Sequence, residues 1–168
     1  EPFVDTEGSS GGNNGQRIIM VQTLFDSARS NITAGFTLPT DTASGKIVVT
    51  VHNYADEFDQ DIDWIFQSIE DFSNRVGAPV MIGEFGMKDS SDLVVLREKF
   101  SSNYIARALS HGIKCCIWDD GYKWKIIDRY DTSQSDTGMV SALLNGLDGK
   151  AYKTQSSSKV TLKSMNNF

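Results

Sequence analysis

Two hydrophobic periodicities take turns along this chain. Short apolar runs rich in β-branched residues read as buried strands, and longer segments with apolar residues every three or four positions read as amphipathic helices. The runs Arg17–Thr23, Lys46–His52, Pro79–Gly86 and Ile113–Trp118 are the predicted strands. Between and after them, Leu24–Ile32 reads as a short helix and Asp61–Val76, Leu93–Ser110 and Met139–Leu147 as longer ones. In the first long helix Ile62, Ile65, Phe66, Ile69, Phe72 and Val76 share one face. Asp61 suits its N-cap, Gly77 its stop, and Pro79 follows. Leu93, Leu96, Phe100 and Tyr104 give the next helix its core face, and Gly112 ends it. The first sixteen residues and Phe36–Gly45 read as loop.

The order is β-α-β-α-β-α-β-α, which predicts right-handed βαβ units and a parallel sheet. Four such units fit an open doubly wound sheet or half of an eight-fold barrel. Length favours the open sheet, since a full barrel takes about 250 residues. Gly8–Gly15 precedes the first strand and lacks the Lys-Ser/Thr of a phosphate loop, so a nucleotide site is not expected. The α/β units end near residue 149, and 150–168 is a polar tail, a frayed end or a short edge strand.

Composition narrows the classes further. A net charge of −6 and a pI near 4.8 argue against a nucleic-acid partner. No apolar run is long enough to span a membrane, so no membrane partner is expected. The first residues lack a basic region followed by an apolar run, so no signal peptide is expected; a mature or truncated chain reads the same way. Cys115 and Cys116 are adjacent and have no metal-like spacing. Strand alternation puts Lys114, Cys116 and Trp118 on one face and Cys115 and Ile117 on the other, which predicts free thiols.

The chemistry-bearing residues sit at strand ends. Pro79–Gly86 finishes in Glu84, bracketed by Gly83 and Gly86. Strict alternation places Val80, Ile82 and Glu84 on one face and Met81 and Phe85 on the other. His52-Asn53-Tyr54 follows the second strand, and Trp118-Asp119-Asp120-Gly121 follows the fourth. Taken singly, these are a strand-end histidine, a rim tyrosine, a core tryptophan and a solvated carboxylate. Taken together, they lie at the C-terminal tips of successive parallel strands, where α/β folds carry their sites. Such a mouth suits sugar cleavage.

With these motifs the sequence resembles the cellulase-type (β/α)8-barrel endoglucanases of glycoside hydrolase family 5. Ser10–Arg17 is similar to the Gly-Gly-Asn-Asn stretch before the fifth barrel strand, and Val51-His52-Asn53-Tyr54 to the His-x-Tyr after the sixth. Ile82–Gly86 resembles the nucleophile motif of the seventh. Ile117–Gly121 with Ile126–Arg129 resembles the Trp-Asp-Asn-Gly and Leu-Ile-Asp-Arg of the eighth, Asp120 standing where the family has Asn. The resemblance implies a partial TIM barrel with strands corresponding to five through eight, the catalytic unit being 1–149.

It also implies roles. Glu84 would be the nucleophile of a retaining endo-β-1,4-glucanase, with Tyr54 donating to it and holding it as the carboxylate. His52, Trp118 and Asp120 would bind the β-glucan or cellulose oligosaccharide. Retention requires a second carboxyl about 5–5.5 Å away, and no metal or organic cofactor. The family places that acid in an Asn-Glu-Pro motif, which makes Glu1 of Glu1-Pro2 the candidate acid/base. Secretion follows, because cellulose cannot enter cells. Strands one to four would be absent. That predicts open edges, weak or no activity, and pairing with the missing N-terminal half-barrel or a second copy of the chain. Mannanase, xyloglucanase and lichenase activities are the neighbouring alternatives. A carbohydrate-binding pseudoenzyme without a competent acid, or an unrelated open α/β binding domain, are the alternatives outside catalysis.

Overall fold

The computed structural model describes residues 17–41, 44–54, 62–88, 94–131 and 136–149. Four strands, β1 (Ile19–Ser27), β2 (Ile47–Tyr54), β3 (Val80–Gly86) and β4 (Lys114–Ile117), alternate with α1 (Ser30–Thr33), α2 (Ile62–Val76), α3 (Val94–Ser110) and α4 (Thr137–Leu147). The sheet runs β1-β2-β3-β4 with every neighbouring pair parallel. Ile19 lies opposite Ile47, Val49 opposite Val80, and Ile82 opposite Cys115. The predicted order of elements is therefore the observed one.

One face of this sheet is buried. Val49, Val51, Val80, Ile82 and Phe85 pack under Ile65, Phe66, Ile69 and Phe72 of α2 and Phe100, Tyr104 and Ala108 of α3. Phe85 stacks on Tyr104 with ring centroids 4.3 Å apart, and Phe66 meets the same ring edge-on at 4.9 Å. The apolar stripe read from the α2 sequence is thus its core face. Gly77, at φ +70°, makes the left-handed turn that ends this helix, a conformation costly for a residue with a Cβ. On the opposite face of the sheet Met20, Gln22, Lys114 and Cys116 are exposed. A doubly wound sheet carries helices on both faces. Among the described residues they cover one, and the open-sheet expectation from chain length gives way.

The first unit departs from expectation. β1 runs on to Ser27, four residues past its predicted end, and the helix predicted over Leu24–Ile32 shrinks to Ser30–Thr33. Phe25 and Asp26 have φ of 57° and 54°, left-handed conformations that cannot begin a right-handed helix. Asp61, Leu93, the Gly-rich N-terminal stretch and the 150–168 tail lie outside the described residues. Cys115, half-buried, and Cys116, exposed, are unbonded thiols on opposite faces of β4, as alternation predicts.

Candidate active site

β3 is not a regular strand, and its irregularity aims Glu84. Val51 pairs with Ile82, but His52 pairs with Glu84, so Gly83 is an extra residue on β3. The same surplus appears against β4, where Ile82 faces Cys115 and Phe85 faces Ile117. This is a β-bulge, which re-aims side chains by breaking the two-residue period. Val80 and Ile82 stay in the core, and Phe85 joins them. Glu84 instead turns to the face opposite α2 and α3, with His52 and Tyr54. Strict alternation had put Glu84 with Val80 and Ile82; the bulge overturns that assignment.

Gly83 is required by close approach. A Cβ there would lie 2.4 Å from Thr50 Oγ1 and 3.3 Å from His52 Nε2. Thr50 is buried, and its hydroxyl has no hydrogen-bond partner among the described residues.

Two side chains from β2 converge on one oxygen of Glu84. The Tyr54 hydroxyl donates to Oε2, and His52 Nδ1 stands 3.3 Å from the same atom. The side chains of His52 and Glu84 are 24% and 26% exposed, open enough for a ligand to reach and shielded enough for the contact to matter. Burial pushes the Tyr54 phenol well above its ordinary range; its bond to Glu84 and the charges of Glu84 and Asp120 push the same way. Tyr54 therefore remains a protonated donor throughout the accessible pH range.

The loop after β4 walls the site. Asp119 Oδ1 accepts from Gly121 N at 2.7 Å, and its Oδ2 from Ile127 N at 3.1 Å. Asp120 Oδ1 accepts from Tyr122 N at 2.7 Å and Trp124 N at 2.9 Å. Desolvation opposes ionisation of Asp120, but the N–H groups of Trp124, Tyr122 and Lys123 together outweigh it and hold the carboxyl below the usual range. Asp120 is built into the loop as an acceptor, close enough to Tyr54 for its charge to be felt. Trp118 follows β4, with its N–H on Phe85 O at 2.8 Å and its side chain exposed. Glu1 lies outside the described residues.

Two residues at this site have no place in the motifs. Trp124 packs edge-on against Tyr54, ring centroids 5.8 Å apart. Arg97, from α3, is almost fully buried beneath the loop and donates to Met87 O, Lys125 O, Trp124 O and Asp136. Arg97 did leave a signal, since it precedes Phe100 and Tyr104 by three and seven positions and so falls on their core stripe. Trp124 left none beyond being an aromatic residue near a strand end. A separate shallow groove of about 410 Å³, between Glu70, Asn74, Pro79 and His111, lies at the opposite end of the strands.

Among the described residues no group of three His, Cys, Asp or Glu side chains has a geometry that could hold a metal ion. What the site offers is a carboxylate fixed through one oxygen, on an open face beside an exposed tryptophan.

Comparison with known proteins identifies the family. The family described as cellulase (glycosyl hydrolase family 5) matches residues 8–123. Endoglucanase B of Neocallimastix patriciarum is 29% identical over 180 residues, 95% of this chain and 37% of that protein. A broad-specificity family 5 endoglucanase from Ruminococcus champanellensis with bound cellotriose superimposes with a TM-score of 0.74 at 29% identity, covering 84% of this chain and 47% of that one. A family 5 lichenase from Caldicellulosiruptor sp. F32 in complex with cellotetraose gives 0.73 at 27% identity, covering 85% and 46%. The chain thus spans less than half the length of these proteins. Its four β/α units match part of their (β/α)8 barrels.

Proposed function

The chain belongs to the cellulase family of glycosyl hydrolases, family 5, and on that premise we propose that it carries the nucleophile side of a retaining endo-β-1,4-glucanase site. The observation that carries the reading is the convergence of Tyr54 and His52 on Oε2 of Glu84. A carboxylate anchored through one oxygen presents the other in a fixed direction. Oε1 of Glu84 attacks the anomeric carbon, and the bond from that carbon to the leaving sugar oxygen breaks with its electron pair on oxygen. That oxygen takes a proton from a second carboxyl. Water then gives a proton to the resulting carboxylate while its oxygen attacks the same carbon and releases Glu84. Two inversions restore the β configuration.

The second carboxyl must begin protonated. Asp120 is unsuited, since its backbone donors favour the ionised form. Glu1 is the group we assign to the role. Trp118 offers an exposed ring to the apolar face of the sugar, and His52 has a ring edge for its hydroxyls. The mechanism calls for no metal or organic cofactor. Cello-oligosaccharides in the family 5 relatives support a β-glucan substrate. The lichenase among them supports lichenase activity as the second reading. A polymer of this kind places the action outside the cell.

Proton NMR of cellotetraose hydrolysis tests the reading. Retention predicts that the β-anomer of the new reducing end appears first and that Glu84→Gln abolishes release. First appearance of the α-anomer refutes it. Sugar binding without any hydrolysis would favour the carbohydrate-binding alternative.

A further inference from the structure

We propose that Trp124 is a positioning residue for the nucleophile, acting through Tyr54 and locked in place by Arg97. The inference rests on the reading above and adds to it. Trp124 is held at three points. Its backbone N–H donates to Asp120 Oδ1 at 2.9 Å, and its carbonyl oxygen accepts from Arg97 at 3.2 Å. Its ring lies against the backbone of β3, for a Cβ on Gly86 would fall 3.1 Å from Trp124 Cδ1.

That ring is already occupied. Tyr54 meets it at 63° with centroids 5.8 Å apart, and Lys88 Nζ sits 5.7 Å from its centroid. A ring engaged by a phenol edge and an ammonium is poorly placed to serve as a stacking platform for sugar, which distinguishes it from the exposed Trp118. What it does is restrict the Tyr54 ring. A phenol fixed on the ring side has its hydroxyl fixed too, and that hydroxyl donates to Oε2 of Glu84.

Arg97 makes the arrangement rigid. Its guanidinium donates to Met87 O at 3.1 Å just beyond β3, and to Lys125 O at 2.8 Å in the loop after β4. It also bonds Asp136, the N-cap of α4, at 3.1 Å. One buried side chain thus ties the nucleophile strand, the Trp124 loop and α4 together. The path runs Arg97, Trp124, Tyr54, Glu84.

The test isolates the step Glu84 performs. A 2-deoxy-2-fluoro-β-cellobioside with a 2,4-dinitrophenolate leaving group needs no acid. Glu84 Oε1 bonds to the anomeric carbon, and the phenolate departs with the electron pair as a stable anion. Intact mass reports the glycosylated chain, and released dinitrophenolate gives the rate constant. Trp124→Ala is expected to slow labelling about 10- to 100-fold, the scale of a misplaced reacting group. Trp124→Phe, which restores a ring edge, is expected to stay within about threefold of the parent.

The deciding comparison is a double-mutant cycle with Tyr54→Phe. If Trp124 acts through the Tyr54 hydroxyl, Trp124→Ala costs little more once that hydroxyl is gone. Full additivity overturns the proposal, as does equal labelling of Trp124→Ala and the parent. Should Trp124→Ala fail to fold, Trp124→Leu, which keeps apolar volume beside Gly86 but no ring, replaces it in the cycle. A parent chain that is not labelled refutes the nucleophile assignment, and the positioning proposal falls with it.

Discussion

Gly83→Ala changes only space, because the backbone at 83 is outside the left-handed region. The added Cβ lies 2.4 Å from Thr50 Oγ1, 3.3 Å from His52 Nε2 and 3.4 Å from His52 Cδ2. Against an ordinary contact of about 3.5 Å, the first is an overlap of roughly 1 Å. Thr50 cannot swing aside cheaply, being buried and β-branched, hence stiff at χ1. Overpacking of this kind costs about 1–3 kcal/mol. The reduced freedom of the unfolded chain returns about 0.4–1 kcal/mol. A net loss of about 1–2 kcal/mol is expected, or roughly 3–6 °C in Tm for a chain of this size. The neighbouring Glu84 shifts with the strand, so labelling by the fluoro-cellobioside is expected to slow at least about tenfold. Thr50→Ala supplies the control. It deletes a buried hydroxyl that has no partner among the described residues together with a buried γ-methyl, so alone it is expected to cost only about 1 kcal/mol, the scale of the methyl. Combined with Gly83→Ala it removes the 2.4 Å overlap and should recover at least half of both losses. Urea unfolding followed by circular dichroism gives the stabilities, and dinitrophenolate release gives the rates. If Gly83→Ala is as stable and as reactive as the parent, or if the double variant shows simple additivity, the steric account of the bulge is wrong.

Tyr54→Phe removes a donor to a charged group, worth about 1.5–3 kcal/mol, and should slow labelling of Glu84 about 10- to 100-fold. Phe66→Ala, at a fully buried position beside Tyr104, should lower the unfolding free energy by about 3–5 kcal/mol in urea titration. Arg97→Met takes a donor from Asp136 Oδ2 and from three carbonyl oxygens; with Asp136 31% exposed and its Oδ1 still bonded to Met139 N, a loss of about 2–3 kcal/mol is expected, under the range for fully buried pairs. Burial pushes the Cys115 thiol up to about 11 from 9.0, helped by Cys116 and opposed by Lys114. Folding therefore favours the neutral thiol. Its contribution is complete below about pH 9 and is lost as pH rises toward 11, so Cys115→Ala should flatten the alkaline fall in a Tm-against-pH series.

The strand ends that hold the site were legible because they follow from local pattern alone. β-branched runs gave β2, β3 and β4 nearly to the residue, and the apolar stripe of α2 gave its buried face. Motifs at those ends singled out His52, Tyr54, Glu84, Trp118 and Asp120. The structure gathers His52, Tyr54 and Glu84 into direct contact and gives Asp120 a place in the loop's own hydrogen bonding. β1 departs from its predicted end where Phe25 and Asp26 take left-handed φ: Phe rarely adopts that conformation, and a single Asp visits it too seldom to mark a boundary. A β-bulge is equally silent, since Gly83 reads as part of a turn whether or not it is a surplus residue.

Order, parallel pairing and the placing of His52, Glu84 and Trp118 at or just past the C-terminal strand tips are thus properties of the sequence. They depend on which residues are apolar and how often they recur, and both are written along the chain. Which face Glu84 turns to, how Arg97 fastens α3 to the loop after β4, and where Trp124 lies against Tyr54 are properties of the folded molecule. Each depends on a register or a contact between segments remote in sequence, and such relations exist only once the strands are paired and the core has fixed their spacing.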